Sequence, residues 1–262
     1  MKTTLSGKWV LITGASSGFG AAAAVAFGAV GAKLLLGARR VDRLEETAAK
    51  ARAAGSPEAL VHALNVADTP SVEQFAQWVG GKTRQVDVLV NNAGGAHGLD
   101  TVAKGRDEDW DAMLQSNVLG LLRVTRAILP FMEKNAGASI INIGSIAGHS
   151  AYEGGSVYCA AKAAERSITQ ALRLELNGTG LRVGSLDPGF AETEFSDVRF
   201  KGDTARAKRV YEGIIPLTAE DIAETLVWMA SRPPHVNIDE IIIKPTDQAA
   251  IHKVFRRHKT TA

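Results

Sequence analysis

Seven apolar runs of strand length, separated by helical segments, constrain the fold of this chain more than any other feature. The runs are Trp9 to Thr13, Lys33 to Ala38, Ala59 to Leu64, Val86 to Asn91, Ser139 to Ile143, Arg182 to Leu186 and Glu240 to Ile243. Helical patterns cover Gly20 to Val30, Val41 to Ala54, Ser71 to Val79, Trp110 to Glu133, Val157 to Asn177 and Ala219 to Ala230. Strands apolar on successive residues are buried on both faces, which requires a parallel sheet covered by helices. Right-handed crossovers make that an α/β, doubly wound, Rossmann-type domain. No repeat, low-complexity tract or Pro/Ser linker divides the chain, so residues 1–262 read as a single domain.

One stretch breaks the rhythm. Phe190 to Pro216 is charged and poor in apolar periodicity, and it follows a strand end. Ligands bind near strand carboxyl ends in such sheets, so 190–216 reads as a substrate loop. The basic segment 252–262 reads as a solvated, partly mobile tail.

The formal net charge of +2 gives no argument for nucleic acid or a membrane surface. The stretch Ala21 to Ala32 is too short to span a bilayer, and Met1 to Gly7 lacks an apolar signal core. The one cysteine, Cys159, excludes an intrachain disulfide and fits a reducing compartment. The expectation is a cytoplasmic protein with a small-molecule substrate.

The first strand runs into Thr13-Gly14-Ala15-Ser16-Ser17-Gly18-Phe19-Gly20 and then an alanine-rich helix. Glycines there let backbone N–H groups and a helix N-terminus approach a pyrophosphate. The second strand ends at Ala38-Arg39-Arg40, where an acid would bind the ribose hydroxyls of NAD. Ala38 offers no carboxylate, and Arg39 and Arg40 suit a 2′-phosphate, so the pattern predicts NADP(H).

Tyr158 and Lys162 stand four apart, and Ser145 precedes the tyrosine by thirteen residues. Four residues is one helical face, so the ammonium lies beside the phenol. It favours the phenolate and makes the tyrosine a proton carrier for an alcohol or carbonyl. The histidines show no H-x-x-x-H or Cys/His cluster, giving no metal site, and Ser145 lacks a G-x-S-x-G elbow.

Six blocks in order resemble the short-chain dehydrogenase/reductases over nearly the whole chain. They are Thr13 to Gly20, Asn91-Asn92-Ala93-Gly94, Asn117-Val118-Leu119-Gly120, Ile143 to Gly148, Tyr158 to Lys162 and Asp187-Pro188-Gly189-Phe190-Ala191-Glu192-Thr193. The resemblance implies that Tyr158 is the general acid/base and that Lys162 lowers its pKa and holds the nicotinamide ribose. It implies that Ser145 bonds the substrate oxygen and that Asn117 supports a water chain to Lys162. It assigns Gly14, Ser16, Ser17, Gly18, Phe19, Gly20, Asn92, Gly94, Pro188, Gly189 and Thr193 to the cofactor, with Asn65 and Val66 against the adenine.

A narrower likeness covers Ser16 to Gly20, Ala38-Arg39-Arg40, Ile143 to Gly148, Glu192 to Phe200 and Pro233 to Asn237. These segments resemble the NADP-dependent 3-hydroxy acid dehydrogenases, a branch with serine, allo-threonine and malonic semialdehyde activities. The resemblance implies a short 3-hydroxy acid or its semialdehyde as substrate, and a homotetramer. His149 stands where that branch often has arginine, and it is a candidate pocket residue. Arg199 is either the cation for the substrate carboxylate or a loop partner of Glu194 or Asp197. Two other readings stay open: reduction of another small carbonyl, such as sulfoacetaldehyde or a non-acidic aldehyde or ketone, and a non-catalytic NADP-binding sensor.

Overall fold

The computed structural model describes residues 5–133 and 135–257. Seven parallel strands are β1 (Trp9–Thr13), β2 (Lys33–Ala38), β3 (Ala59–Ala63), β4 (Val88–Asn91), β5 (Ser139–Ile143), β6 (Arg182–Pro188) and β7 (Glu240–Ile243). Their order across the sheet is β3-β2-β1-β4-β5-β6-β7. The order reverses direction between β1 and β4, which opens a crevice at their carboxyl ends.

Alternation of side chains along each strand explains why the runs are apolar throughout. Val10 and Ile12 of β1, Leu34 and Leu36 of β2, and Val88 and Val90 of β4 face one layer. That layer holds α1 (Gly18–Ala29), α2 (Val41–Ala54) and α9 (Ala219–Ala230). Leu11, Leu35 and Leu89 face the opposite layer. It is formed by α3 (Thr69–Gly80), α5 (Gly120–Ile128) and α6 (Ser156–Glu175). Each fully buried side chain of this size contributes about 1.5–3 kcal/mol.

The expected helix Trp110 to Glu133 is instead broken. It comprises α4 (Asp107–Met113), a π-helical stretch Leu114–Leu119, α5, and a final 3₁₀ turn Leu129–Phe131. Gly120 N donates to Gln115 O, five residues back. The physical cause is Asn117, whose amide reaches out of the helix to the chain after β4, and such π turns often accompany functional sites.

Segment 190–216 is ordered by two short helices, α7 (Phe195–Arg199) and α8 (Thr204–Val210). Gly98 N donates to Arg199 O at 2.9 Å, and Lys201 Nζ donates to Asp109 Oδ2 at 2.8 Å. These bonds fasten the loop over the carboxyl end of the sheet. The tail also departs from expectation: β9 (Lys253–Val254) pairs antiparallel with β8 (Gln248–Ala250), and Arg257 N donates to Gly213 O. Backbone pairing therefore ties residues 253–257 to the loop, while 258–262 lie outside the described residues. Among the described residues no helix is long and apolar enough to cross a membrane.

Candidate active site

The glycine loop sits in the crevice between β1 and β4. Thr13 Oγ1 accepts from Asn92 N and Ala93 N, both at 3.0 Å. Asn92 Nδ2 donates to Thr13 O at 2.9 Å and Gly14 O at 3.2 Å, so its side chain braces the loop from behind. Gly14 has φ +66°, and a Cβ there would lie 2.9 Å from Ala93 Cα. A Cβ on Gly20 would come within 2.5 Å of Gly14 O, which explains the glycine at the helix start.

The N-terminus of α1 has no side-chain cap from Ser17 and no acid in its first turn. Its leading N–H groups and the helix dipole are therefore available to an anion. Arg40 Nη2 donates to Ser17 Oγ at 2.8 Å and lies 3.4 Å from Ser16 Oγ. Its third contact is Glu194 Oε2 at 3.1 Å. This cradle fits a pyrophosphate at the helix and a further phosphate at Arg40. Arg39 is exposed at the same strand end, and Phe19 packs partly buried against the core.

Gly18 abuts Thr193, with a Cβ at 3.5 Å from Thr193 Cβ. Gly189, after Pro188 at the end of β6, faces Gln248, whose Oε1 accepts from Phe190 N at 2.8 Å. Asn65 Oδ1 is engaged locally, accepting from Ala67 N at 3.2 Å, and Val66 is buried against Gly120. Gly94 lies so close to Asn117 Oδ1 that a Cβ would meet it at 2.5 Å.

Asn117 is buried, and Nδ2 donates to Gly95 O at 2.9 Å and Met113 O at 2.8 Å. Oδ1 accepts from Gly95 N at 3.1 Å. Its side-chain amide thus joins α4 to the chain after β4.

Ser145 leaves β5 as the cap of a 3₁₀ turn, with Oγ accepting from Ala147 N at 3.1 Å. α6 packs on that turn and brings in Tyr158 and Lys162. Lys162 Nζ donates to Ile143 O at 2.7 Å, pinning the ammonium two residues before Ser145. The Tyr158 ring is buried, packs on Phe195 at 5.6 Å, and lies under the Arg199 guanidinium at 5.7 Å.

Beside Tyr158 is a partly open pocket lined by His97, Trp110, Met113, Tyr158 and Arg199 among others. Arg199 Nε donates to Gly98 O at 3.0 Å. Its Nη2 is buried and has no hydrogen-bond partner among the described residues. Glu194, one of its expected loop partners, pairs with Arg40 instead. Burial pushes the neighbouring Tyr152 phenol up to about 12, so it stays neutral.

His149 lies elsewhere than expected. Its Nε2 is 2.5 Å from Asp187 Oδ2 and 3.8 Å from Glu240 Oε1, and it does not line the Tyr158 cavity. The buried Asp187 carboxylate holds the imidazole. Sequence reading also missed Glu165, although its place three residues after Lys162 on one helix was a signal for an ion pair.

With this geometry in place, comparison with known proteins is informative. A family model described as short chain dehydrogenase matches residues 8–203. The chain belongs to the short-chain dehydrogenase family. It is 42% identical to an NADP-dependent 3-hydroxy acid dehydrogenase of Schizosaccharomyces pombe, over 97% of this chain and 98% of that protein. A sulfoacetaldehyde reductase of Chromohalobacter salexigens is 44% identical over 92% of this chain and 94% of that protein. The closed form of a serine dehydrogenase complexed with NADP+ superposes with a TM-score of 0.87 at 38% identity. That match covers 92% of this chain and 96% of the other.

Proposed function

We propose that this protein is an NADP-dependent oxidoreductase acting on a short 3-hydroxy acid or the matching semialdehyde. The observation that carries the substrate class is Arg199, which lies beside Tyr158 and whose buried Nη2 has no hydrogen-bond partner among the described residues. A guanidinium nitrogen left dry and unpaired is unfavourable unless an anion joins it. A substrate carboxylate in the cavity supplies that anion and sets the carbinol carbon near the phenol.

Bound NADP(H) supplies the hydride chemistry. The chain's residues bind and orient. The α1 N-terminus with Ser16, Ser17 and Arg40 holds phosphate groups, and Gly14, Gly18 and Gly20 allow close approach. Asn92, Gly94, Pro188, Gly189 and Thr193 form the rest of that wall, with Asn65 and Val66 at the adenine end. Ser145 Oγ holds the substrate oxygen. Tyr158 takes the alcohol proton during oxidation and returns it during reduction, with the Lys162 ammonium pinned one helical turn away by Ile143 O.

In this reading residues 1–262 act as one catalytic domain with 190–216 as its substrate loop. The protein is a cytoplasmic homotetramer. Exposed Leu114, Leu119 and Leu122 on the α4–α5 side, and Ala160, Ala163 and Leu174 along α6, give two apolar faces for assembly. Buried, unpaired Cys159 suits a reducing compartment.

An assay with NADP+ and NAD+ across 3-hydroxy acids, sulfonated alcohols and neutral alcohols tests the reading. Preference for NADP+ and a 3-hydroxy acid supports it. Preference for the sulfonated alcohol shifts the substrate to the sulfonate analogue, which the same guanidinium can hold. Preference for neutral alcohols overturns the role of Arg199, and absence of turnover on all of them favours a cofactor-binding sensor.

A further inference from the structure

Glu165 lies on α6 one turn beyond Lys162 and is 3% exposed. Its Oε2 accepts from Lys162 Nζ at 2.7 Å, and its Oε1 is buried without a hydrogen-bond partner among the described residues. The residue lines a small pocket together with Thr13, Asn91, Asn117 and Ile143. A buried carboxylate with one oxygen unpaired is unfavourable on its own. Here it has one charged hydrogen-bond partner, the ammonium that serves the reacting phenol.

The groups that act on it are few. Lys162 shares its helix, and Asp187 projects from β6. Behind Asp187 stand His149 and, on β7, Glu240, which is paired with Arg166 of α6. Burial pushes the Glu165 carboxyl up to about 7 against the pull of Lys162, and Asp187 adds to the rise. Burial works against the Lys162 ammonium, but Glu165 and Tyr158 outweigh it and hold the lysine charged.

Two of the three Lys162 N–H bonds are thus committed, to Ile143 O and to Glu165 Oε2. One remains for the reacting side. The net charge of the pair also depends on Glu165. With Glu165 ionised the pair is neutral, and its pull on the Tyr158 phenolate is reduced. With Glu165 uncharged the ammonium acts alone.

We propose that Glu165 is a further positioning residue of this reaction, which anchors the Lys162 ammonium and, through its own charge, sets the pH at which Tyr158 exchanges its proton. The inference rests on the reading of Tyr158 as the proton-exchanging group.

Absorbance titration of tyrosinate in the full-length protein without cofactor tests it directly. The chain has three tyrosines. Burial raises both Tyr152 and Tyr211, so their steps lie at high pH. The step lost in Tyr158→Phe belongs to Tyr158. In Glu165→Gln that step should move down by about 1 pH unit, the size expected for removing one charge at an effective dielectric near 20. Glu165→Asp, which draws the carboxylate back by one methylene, should move it in the same direction by less. The acidic limb of kcat/KM for alcohol oxidation should follow, with KM for NADP+ little changed. Either variant suffices if the other does not fold. An unmoved step and an unmoved pH profile would show Glu165 to be a packing residue only. Near-unaltered turnover in Tyr158→Phe would instead overturn the reading of Tyr158, and this inference with it.

Discussion

Arg40 and Glu194 form an ion pair of 3.1 Å that joins the end of β2 to the start of the 190–216 loop. The same Arg40 nitrogen donates to Ser17 in the glycine loop. A phosphate at Arg40 would therefore compete with Glu194 for the same guanidinium nitrogen. Arg40→Ala should weaken NADP+ binding by about 10- to 100-fold, the range for a charge-assisted hydrogen bond, and leave NAD+ little changed. Glu194→Gln should tighten NADP+ by about threefold, because the pair it breaks is half-exposed and weak. Calorimetric titration of both cofactors checks both outcomes.

Arg199 is expected to discriminate substrates by charge. Arg199→Ala should raise KM for serine or another 3-hydroxy acid by about 10- to 100-fold. A neutral secondary alcohol should be affected far less. Steady-state kinetics on the two substrates measures the ratio, and equal changes would remove the carboxylate contact.

Stability should carry a mark of Glu165. Its folded value of about 7 lies above the ordinary value of 4.5, so the folded state holds a proton that the unfolded chain releases. The linkage sign follows: this group's contribution to stability falls as pH rises from about 4.5 to about 7, then levels. Glu165→Gln should flatten the dependence of Tm on pH in that window. The raised Asp187 carboxyl, shifted by burial, leaves a residual slope of the same sign. Thermal unfolding at several pH values reads the difference.

The sheet was legible because its strands are buried on both faces, and that burial writes itself as continuous apolar runs. Val86 is the instructive boundary. The run continues through it, but the Asp87 carboxylate accepts from Trp9 N at 2.8 Å, and regular pairing begins at Val88. The break at Leu114–Leu119 was hidden, because its residues are locally compatible with a helix. The cause is the bond from Asn117 to Gly95, far back in the chain. Tyr158 and Lys162 were legible because one helix carries both. His149 was not, because its partners Asp187 and Glu240 come from later strands. Arg199 left two alternatives in the sequence, and the pairing of Glu194 with Arg40 removes one expected partner.

In the proposed mechanism Tyr158 carries the proton, with the ammonium of Lys162 beside it on α6. Turnover and NADPH affinity measured together in Tyr158→Phe test it most directly. The expected result is a loss of turnover of at least about 100-fold, with NADPH binding within a few-fold of the unaltered protein. Turnover close to the unaltered value, in a variant that binds NADPH normally, would contradict it.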